Sequence, residues 1–201
     1  MNLPNKISLM RICMIPVFVL VFFLNVIPYR FAIAGAIFAI AACTDFVDGY
    51  IARSRGLVTN LGKFLDPIAD KVLIATAMIL LLTMKDTLFS VLGGAVDVIY
   101  VATTVCVCII MARELIISAF RQIGAANGII MAAEKLGKYK AALQDVAIVV
   151  LLVAADIPAT AGAVIAYVGF GLFAIATVLT VISGVTYVVK YKHVLSDKQE
   201  D

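Results

Sequence analysis

The 201-residue chain is too apolar for an ordinary soluble domain, because 64% of its residues are hydrophobic and only 14% are charged. Its mean hydropathy is +1.10. The formal net charge of +3 is modest and gives no reason to expect a nucleic-acid partner. The composition therefore predicts an integral membrane protein, and we expect a single domain over residues 1–201.

Six apolar stretches are each long enough to cross a bilayer as a helix, which takes roughly 20 mostly apolar residues. In chain order the predicted spans are residues 9–26, 31–53, 61–84, 91–121, 137–155 and 161–189. Residues 1–10 are amphipathic and predict a short N-terminal interfacial helix. The predicted fold is all-α, a membrane bundle of six transmembrane helices joined by short connections.

The basic residues predict the orientation of this bundle. With the N-terminus in the cytosol, only Arg30 and Lys85 of the 16 Lys and Arg residues face outward, which leaves 14 on the cytosolic side. Arg11 interrupts the first apolar stretch and no small-residue cleavage site follows, so we expect this stretch to be retained. The prediction is a multi-pass protein of the cytoplasmic membrane with both termini in the cytosol and a basic interface suited to anionic lipid or phosphate-bearing substrates.

Four aspartates lie near the cytosolic ends of the second and third predicted spans. Asp45 and Asp48 are three residues apart, and Asp66 and Asp70 are four apart, so each pair shares one helix face. Antiparallel packing of the two spans would bring the four carboxylates together, where they need cations to remain ionised. Oxygen ligands of this kind suit Mg²⁺ or Mn²⁺, and we expect two ions that also bind a diphosphate.

Small and basic residues accompany the aspartates at fixed spacing. Gly49 and Ala52 lack bulk and would let a nucleotide lie against the helix backbone, although close helix packing explains them equally well. Arg53 suits a diphosphate or an interfacial anchor. Gly62 permits a tight approach of the loop, and Asn5 either touches the nucleotide or anchors the N-terminal segment.

The complete pattern is Asp45, two residues, Asp48 and Gly49, two residues, Ala52 and Arg53, eight residues, Gly62, three residues, Asp66, three residues and Asp70. It resembles the signature of the CDP-alcohol phosphotransferase family at every fixed position. The resemblance implies that Asp45, Asp48 and Asp66 are metal ligands and that Asp70 is a ligand or general base. We predict Asp70 as the base, with Asp48, Gly49, Ala52, Arg53, Gly62 and Asn5 around the CDP group. The resemblance also implies a homodimer.

Within that family the chain looks most like the branch that joins CDP-diacylglycerol to glycerol 3-phosphate, giving phosphatidylglycerophosphate and CMP. The likeness lies in residues 2–11, 44–53, 62–71 and 112–114, followed by Arg121. An acceptor with its own phosphate needs further cations, and the predicted acceptor-phosphate ligands are Arg113, Arg121, Lys135 and Lys138. Positive-inside anchoring explains either lysine taken alone.

Two alternatives stay open at this point. A sister enzyme with a cardiolipin, inositol-phosphate or serine acceptor would use the same aspartates. A metal-ion transporter would instead spread acidic residues across the depth of the membrane, whereas these four cluster on one side.

The cysteines and two further aspartates have no predicted role in catalysis. None of Cys13, Cys43, Cys106 and Cys108 has zinc-ligand spacing, and we expect small buried hydrophobic residues. Asp97 is expected near the outer interface, and Asp145 inside the fifth span.

Overall fold

The computed structural model describes residues 3–55, 60–126 and 135–192, with side chains for 6–44, 68–125, 136–158 and 160–192. This described part contains helices and turns and no β-strand. Its six α-helices are α1 Leu3–Phe23, α2 Arg30–Arg55, α3 Asn60–Leu82, α4 Val96–Ala126, α5 Lys135–Ala154 and α6 Ala159–Tyr191. The predicted all-α fold is confirmed, and each predicted span overlaps one helix.

The N-terminal segment is not a separate element in the structure. α1 runs from Leu3 to Phe23 and includes both the predicted interfacial residues and the first predicted span. The structure therefore shows one continuous helix where the sequence predicts a short interfacial helix followed by a span.

The start of α4 also differs from its predicted position. Helix α4 begins at Val96 rather than near residue 91, after a π-helical turn at Lys85–Phe89 and a 3₁₀ turn at Ser90–Ala95. Gly93 interrupts the helical path with φ +59°, a conformation that residues with a Cβ rarely adopt. Hydropathy does not detect the break at Gly93 because residues 91–96 contain only apolar residues and glycine.

Length and apolar composition indicate that the bundle belongs in a membrane. Among the described residues, three helical stretches are long and apolar enough to cross one, namely Lys6–Phe23, Lys85–Ala125 and Thr160–Tyr191. The apolar helix Arg30–Thr44 is shorter. The structure thus supports a helical membrane protein, while the count of six spans stays a prediction.

The outer surface of the bundle is apolar and its interior holds polar groups. Large apolar side chains that are at least 59% exposed include Leu20, Val98, Val101, Leu115 and Val164. Polar side chains that are at most 5% exposed include Arg11, Lys140, Gln144, Thr180 and Ser183. This distribution is favourable in lipid, because polar groups at membrane depth are stable only where protein or water surrounds them.

The prediction that all four cysteines are buried is wrong. Cys13, Cys43 and Cys108 are exposed and Cys106 is partly exposed. In a membrane helix an apolar residue faces lipid as readily as the core, so apolar sequence surroundings do not imply burial.

Contacts between α1, α2 and the turn before α6 fix the direction of these elements. Phe22 packs edge-on against Phe31 with ring centroids 5.1 Å apart, at the end of α1 and the start of α2. The N–H of Ala32 donates to Asp156 Oδ2 at 2.6 Å, which places the α5–α6 turn beside the start of α2. A large apolar core, rich in phenylalanine, fills this end and the middle of the bundle.

Helices α4 and α6 run in the same direction. The hydroxyl of Tyr167, early in α6, donates to the Leu92 carbonyl at 3.3 Å, whereas Arg121 late in α4 contacts Tyr187 late in α6. The ends of α2, α4 and α6 and the starts of α1, α3 and α5 therefore lie at one end of the bundle. We call this the polar end, since it contains the side chains of Arg11, Lys71, Arg113, Glu114 and Lys140.

Candidate active site

The aspartate motif lies at the polar end, on the last part of α2 and the first part of α3. Asp45 and Asp48 are on one continuous helix, and so are Asp66 and Asp70, as the sequence predicts. Of the four, only the side chain of Asp70 is described, and it is half-buried. The predicted convergence of four carboxylates therefore stays a prediction.

Other predicted ligands are placed by their backbone alone. Asn5 is in the first turn of α1, Gly49, Ala52 and Arg53 are in the last turns of α2, Gly62 is in the first turn of α3, and Lys135 is the first residue of α5. Their side chains lie outside the described residues, as do those of Asp45, Asp48 and Asp66. Within the described side chains no group of three or more His, Cys, Asp or Glu is positioned to hold a metal ion.

A cluster of charges from α4 and α5 lies beside Asp70. Glu114 Oε1 accepts hydrogen bonds from Arg113 at 2.9 Å and from the ammonium group of Lys140. The Asp70 carboxylate is close enough to attract the Lys140 ammonium group electrostatically. Two cations thus share one carboxylate at the place where α3, α4 and α5 meet.

A second polar contact joins α3 to α4 one residue further along. The ammonium group of Lys71 donates to the Ser118 hydroxyl, which in turn donates to the Glu114 carbonyl at 2.5 Å. Because Lys71 directly follows Asp70, this contact fixes the first part of α3 against the turn of α4 that contains Glu114.

Arg113 reaches α6 as well as Glu114. Its Nη2 donates to the Ser183 hydroxyl at 2.8 Å, and its side chain is only 14% exposed. Arg113 was predicted as an acceptor ligand, and the structure places it inside the bundle, where a charge is stable only with partners.

Arg121 lies two turns beyond Arg113 along α4 and is exposed. Its Nε donates to the Tyr187 hydroxyl at 3.2 Å, and its guanidinium group lies 5.2 Å from the centre of that ring. Tyr187 is buried against Phe120 and so forms a rigid support. Arg121 is thus available at the rim of the site.

The lysines at the start of α5 differ in direction. Lys138 is exposed, whereas Lys140 is 5% exposed and points into the bundle. Sequence reasoning missed Lys140 as a candidate ligand. Helical periodicity could have predicted its inward direction, because Lys140 is spaced at intervals of three or four with Gln144, Ile148 and Leu151. All four side chains are buried in the structure.

Arg11 is completely buried at the polar end, between α1 and α2. Its Nε donates to the Ala41 carbonyl at 3.2 Å and lies 3.5 Å from the Thr44 hydroxyl, which itself donates to Ala41 at 2.6 Å. Ala41 and Thr44 precede Asp45 and Asp48 by one helical turn. Arg11 therefore stabilises the segment of α2 that leads into the motif.

Together these features define a helical membrane protein with a charged interior at one end. A family model described as CDP-alcohol phosphatidyltransferase matches residues 1–186. The chain therefore belongs to the CDP-alcohol phosphatidyltransferase family, and it is a transferase.

Three relatives are named CDP-diacylglycerol–glycerol-3-phosphate 3-phosphatidyltransferase. The chain is 39% identical to the Escherichia coli protein over 188 residues, which are 92% of each chain. It is 38% identical to the Rickettsia bellii protein over 189 residues, 92% of this chain and 93% of the relative. It is 38% identical to the Bacillus subtilis protein over 162 residues, 75% of this chain and 76% of the relative.

Proposed function

We propose that this protein transfers the phosphatidyl group of CDP-diacylglycerol to glycerol 3-phosphate, giving phosphatidylglycerophosphate and CMP. The names of its relatives support this activity, and the family match covers the aspartate motif. The structural observation that supports a phosphorylated acceptor is the pair of cations Arg113 and Lys140 on Glu114, with Lys140 near Asp70. A phosphorylated acceptor needs cations at this point, whereas serine does not.

The donor set of the motif fits a divalent metal. Asp45, Asp48, Asp66 and Asp70 offer only hard carboxylate oxygens, on helices that end and begin at the same end of the bundle. Such ligands suit Mg²⁺ or Mn²⁺ and not a soft metal. Two bound ions would neutralise the diphosphate of the donor and stabilise the charge that develops on departing CMP.

The nucleotide would be bound by the α2 and α3 segments that flank the aspartates. Asp48, Gly49 and Ala52 provide a helix surface without bulky side chains, and Arg53 provides a cation for the diphosphate. Asn5 in α1 and Gly62 in α3 complete the proposed CDP site. The acyl chains of the donor remain in the lipid that surrounds the apolar exterior.

The acceptor phosphate would be bound by Arg113 and Lys140, two cations of the described polar end that share the Glu114 carboxylate. Long-range attraction would guide the anion inward. The cations that provide it are Arg121 at the rim and Lys135 and Lys138 at the start of α5. Arg113 and Lys140 carry two positive charges against the single negative charge of Glu114, so this group of three has a net charge of +1, which the nearby Asp70 offsets unless metal ions bind its carboxylate.

Asp70 is the proposed general base. It is half-buried and lies near Lys140, so an acceptor whose phosphate binds Lys140 presents its hydroxyl group to the same region. As the hydroxyl oxygen attacks phosphorus, its proton passes to Asp70 and the bond from phosphorus to the CMP oxygen breaks. The displacement takes place in one step without a covalent enzyme intermediate.

The same proposal includes six spans and a cytosolic polar end. The bias of basic residues toward this end supports that orientation, because positively charged segments are retained in the cytosol. Glycerol 3-phosphate and the cytidine nucleotide are water-soluble groups that reach the site from that side. We also propose a homodimer, on the resemblance to the family alone.

Acceptor-dependent CMP release tests the activity directly. Protein purified in detergent is given CDP-diacylglycerol and magnesium with no acceptor, glycerol 3-phosphate, serine, inositol 1-phosphate or phosphatidylglycerol. Among these acceptors, we expect only glycerol 3-phosphate to cause CMP release. Release with another acceptor and none with glycerol 3-phosphate would exclude the proposed acceptor.

Asp70→Asn tests the general base, with Asp97→Asn as the matched control. Asp97 is at the opposite end of the bundle and forms an exposed ion pair with Lys85 at 3.0 Å. We expect Asp70→Asn to lower kcat by about a hundredfold or more, the usual size of a lost general base. Equal turnover in the two variants would exclude a catalytic role for Asp70.

A further inference from the structure

The side chain of Arg113 lies against a small platform on α6 formed by Ser183 and Gly184. Arg113 Nη2 donates to the Ser183 hydroxyl at 2.8 Å, and Ser183 is 2% exposed. A Cβ atom at Gly184 would lie 3.0 Å from Arg113 Cγ and 3.3 Å from its Nε. A side chain at residue 184 would therefore require Arg113 to shift by a few tenths of an ångström.

The opposite side of the guanidinium group is held by Glu114. Nη1 donates to Glu114 Oε1 at 2.9 Å, so the two terminal nitrogens are bonded in different directions. The remaining Nε is buried and has no hydrogen-bond partner among the described residues. The guanidinium group is thus positioned by two hydrogen bonds and by contact with Gly184.

Ordinary helix packing does not account for Gly184. A Cβ at Gly169, on the same helix, would lie 2.7 Å from Leu151 Cδ2, so that glycine admits an apolar side chain of α5, as is common in membrane bundles. Gly171 has no atom within 4 Å of its Cβ position in the described structure. Gly184 differs from both because its close neighbour is a charged side chain of another helix.

We propose that Ser183 and Gly184 are positioning residues that set acceptor affinity by holding Arg113 where it binds the acceptor's phosphate. The inference rests on the proposed function, because it assumes a phosphorylated acceptor. A methyl group at residue 184 requires Arg113 to shift by a few tenths of an ångström, which disturbs its hydrogen bond to Ser183. Binding of the nucleotide, assigned to α2 and α3, is left unchanged.

Gly184→Ala is the direct test, and Gly171→Ala is its control on the same helix. Alanine favours a helix more than glycine does, so neither change weakens α6 itself. We expect Gly184→Ala to raise KM for glycerol 3-phosphate by about tenfold, since small displacements of binding groups have effects of this order or larger. KM for CDP-diacylglycerol is expected to stay at the value of the unaltered protein, and Gly171→Ala is expected to leave both values unchanged.

Two further variants separate positioning from a general structural effect. Ser183→Ala removes the hydrogen bond without adding bulk and should also raise KM for glycerol 3-phosphate selectively, which keeps the test open if Gly184→Ala folds poorly. In an Arg113→Ala background, Gly184→Ala should have no additional effect, because the side chain that it displaces is gone.

The outcomes distinguish this inference from the proposed function. Equal KM values in Gly184→Ala and Gly171→Ala, a parallel rise for both substrates, or full additivity with Arg113→Ala would overturn the positioning role while the activity stands. Absence of CMP release with glycerol 3-phosphate in the unaltered protein would overturn the proposed function, and this inference with it.

Discussion

Lys140 of α5 forms an ion pair with Glu114 of α4 inside the polar end of the bundle, and the same carboxylate oxygen also bonds Arg113. An ammonium group that is 5% exposed requires such a partner, because burial of an unpaired charge is strongly unfavourable. The shared carboxylate leaves the group with a surplus positive charge. A phosphate dianion can therefore bind without displacing every internal contact.

Replacement of the two nearby lysines distinguishes the inner cation from the outer one. We expect Lys140→Met to raise KM for glycerol 3-phosphate by about tenfold or more, the range for a lost hydrogen bond to a charged group. Lys138→Met should have a smaller effect, because Lys138 is exposed and its proposed role is long-range attraction. Initial rates of CMP release at varied acceptor concentration measure both. A larger rise in KM for Lys138→Met than for Lys140→Met would favour Lys138, the ligand predicted from the sequence.

Arg11 provides a test of stability at the same end. Arg11→Met removes the hydrogen bond to the Ala41 carbonyl and should lower the free energy of unfolding by about 1.5–3 kcal/mol. Lys6→Met on the same helix is the control, since Lys6 is exposed. Arg11→Lys should restore little, because an ammonium group does not reproduce the planar guanidinium geometry. Thermal unfolding in detergent compares these three variants. Equal midpoints for Arg11→Met and Lys6→Met would contradict the role of Arg11 in stabilising α2.

Much of the fold could be predicted from hydropathy and from two kinds of spacing. The apolar stretches located all six helices, and the intervals of three and four placed Asp45 with Asp48 and Asp66 with Asp70 on continuous helices. The break at Gly93 could not be found in this way, since a positive φ leaves no trace in an apolar pattern. The exposure of the cysteines could not be predicted in this way either, because an apolar pattern does not tell which face of a helix is buried.

The inner part of the candidate site was only half predictable. Arg113 was identified because a cation inside an apolar run is unusual, and the structure places it in the interior. Lys140 was missed because three lysines lie close together in sequence, and charge alone does not tell which of them points inward. The contact of Arg113 with Gly184 depends on residues 71 positions apart, which only the packing of α4 against α6 brings together.

Asp156 offers a stability test at the opposite end of the bundle. Its Oδ2 accepts the N–H of Ala32 in the first turn of α2, which has no acceptor within the helix. Asp156→Ala should lower the free energy of unfolding by about 0.5–2 kcal/mol, as for other caps. Asp97→Ala, which breaks an exposed ion pair, should have a smaller effect. Thermal unfolding measures stability, and KM for glycerol 3-phosphate should be unchanged in both variants; a smaller loss in Asp156→Ala than in Asp97→Ala would contradict the capping role.

Removal of divalent metal tests the aspartate motif as a whole. The predicted convergence of the four carboxylates would make them repel one another unless cations bind between them, so we expect the donor diphosphate not to bind productively without metal. We expect excess chelator to abolish CMP release, and magnesium or manganese to restore it. Asp66→Asn, which removes one charge with little change of shape, should lower kcat/KM by about a hundredfold or more. The Asp97→Asn control should retain activity and the same metal requirement, because Asp97 lies at the end of the bundle opposite the aspartate motif. Undiminished turnover in chelator would mean that the aspartates have a structural role, and the cations Arg113 and Lys140 would then have to neutralise the diphosphate themselves.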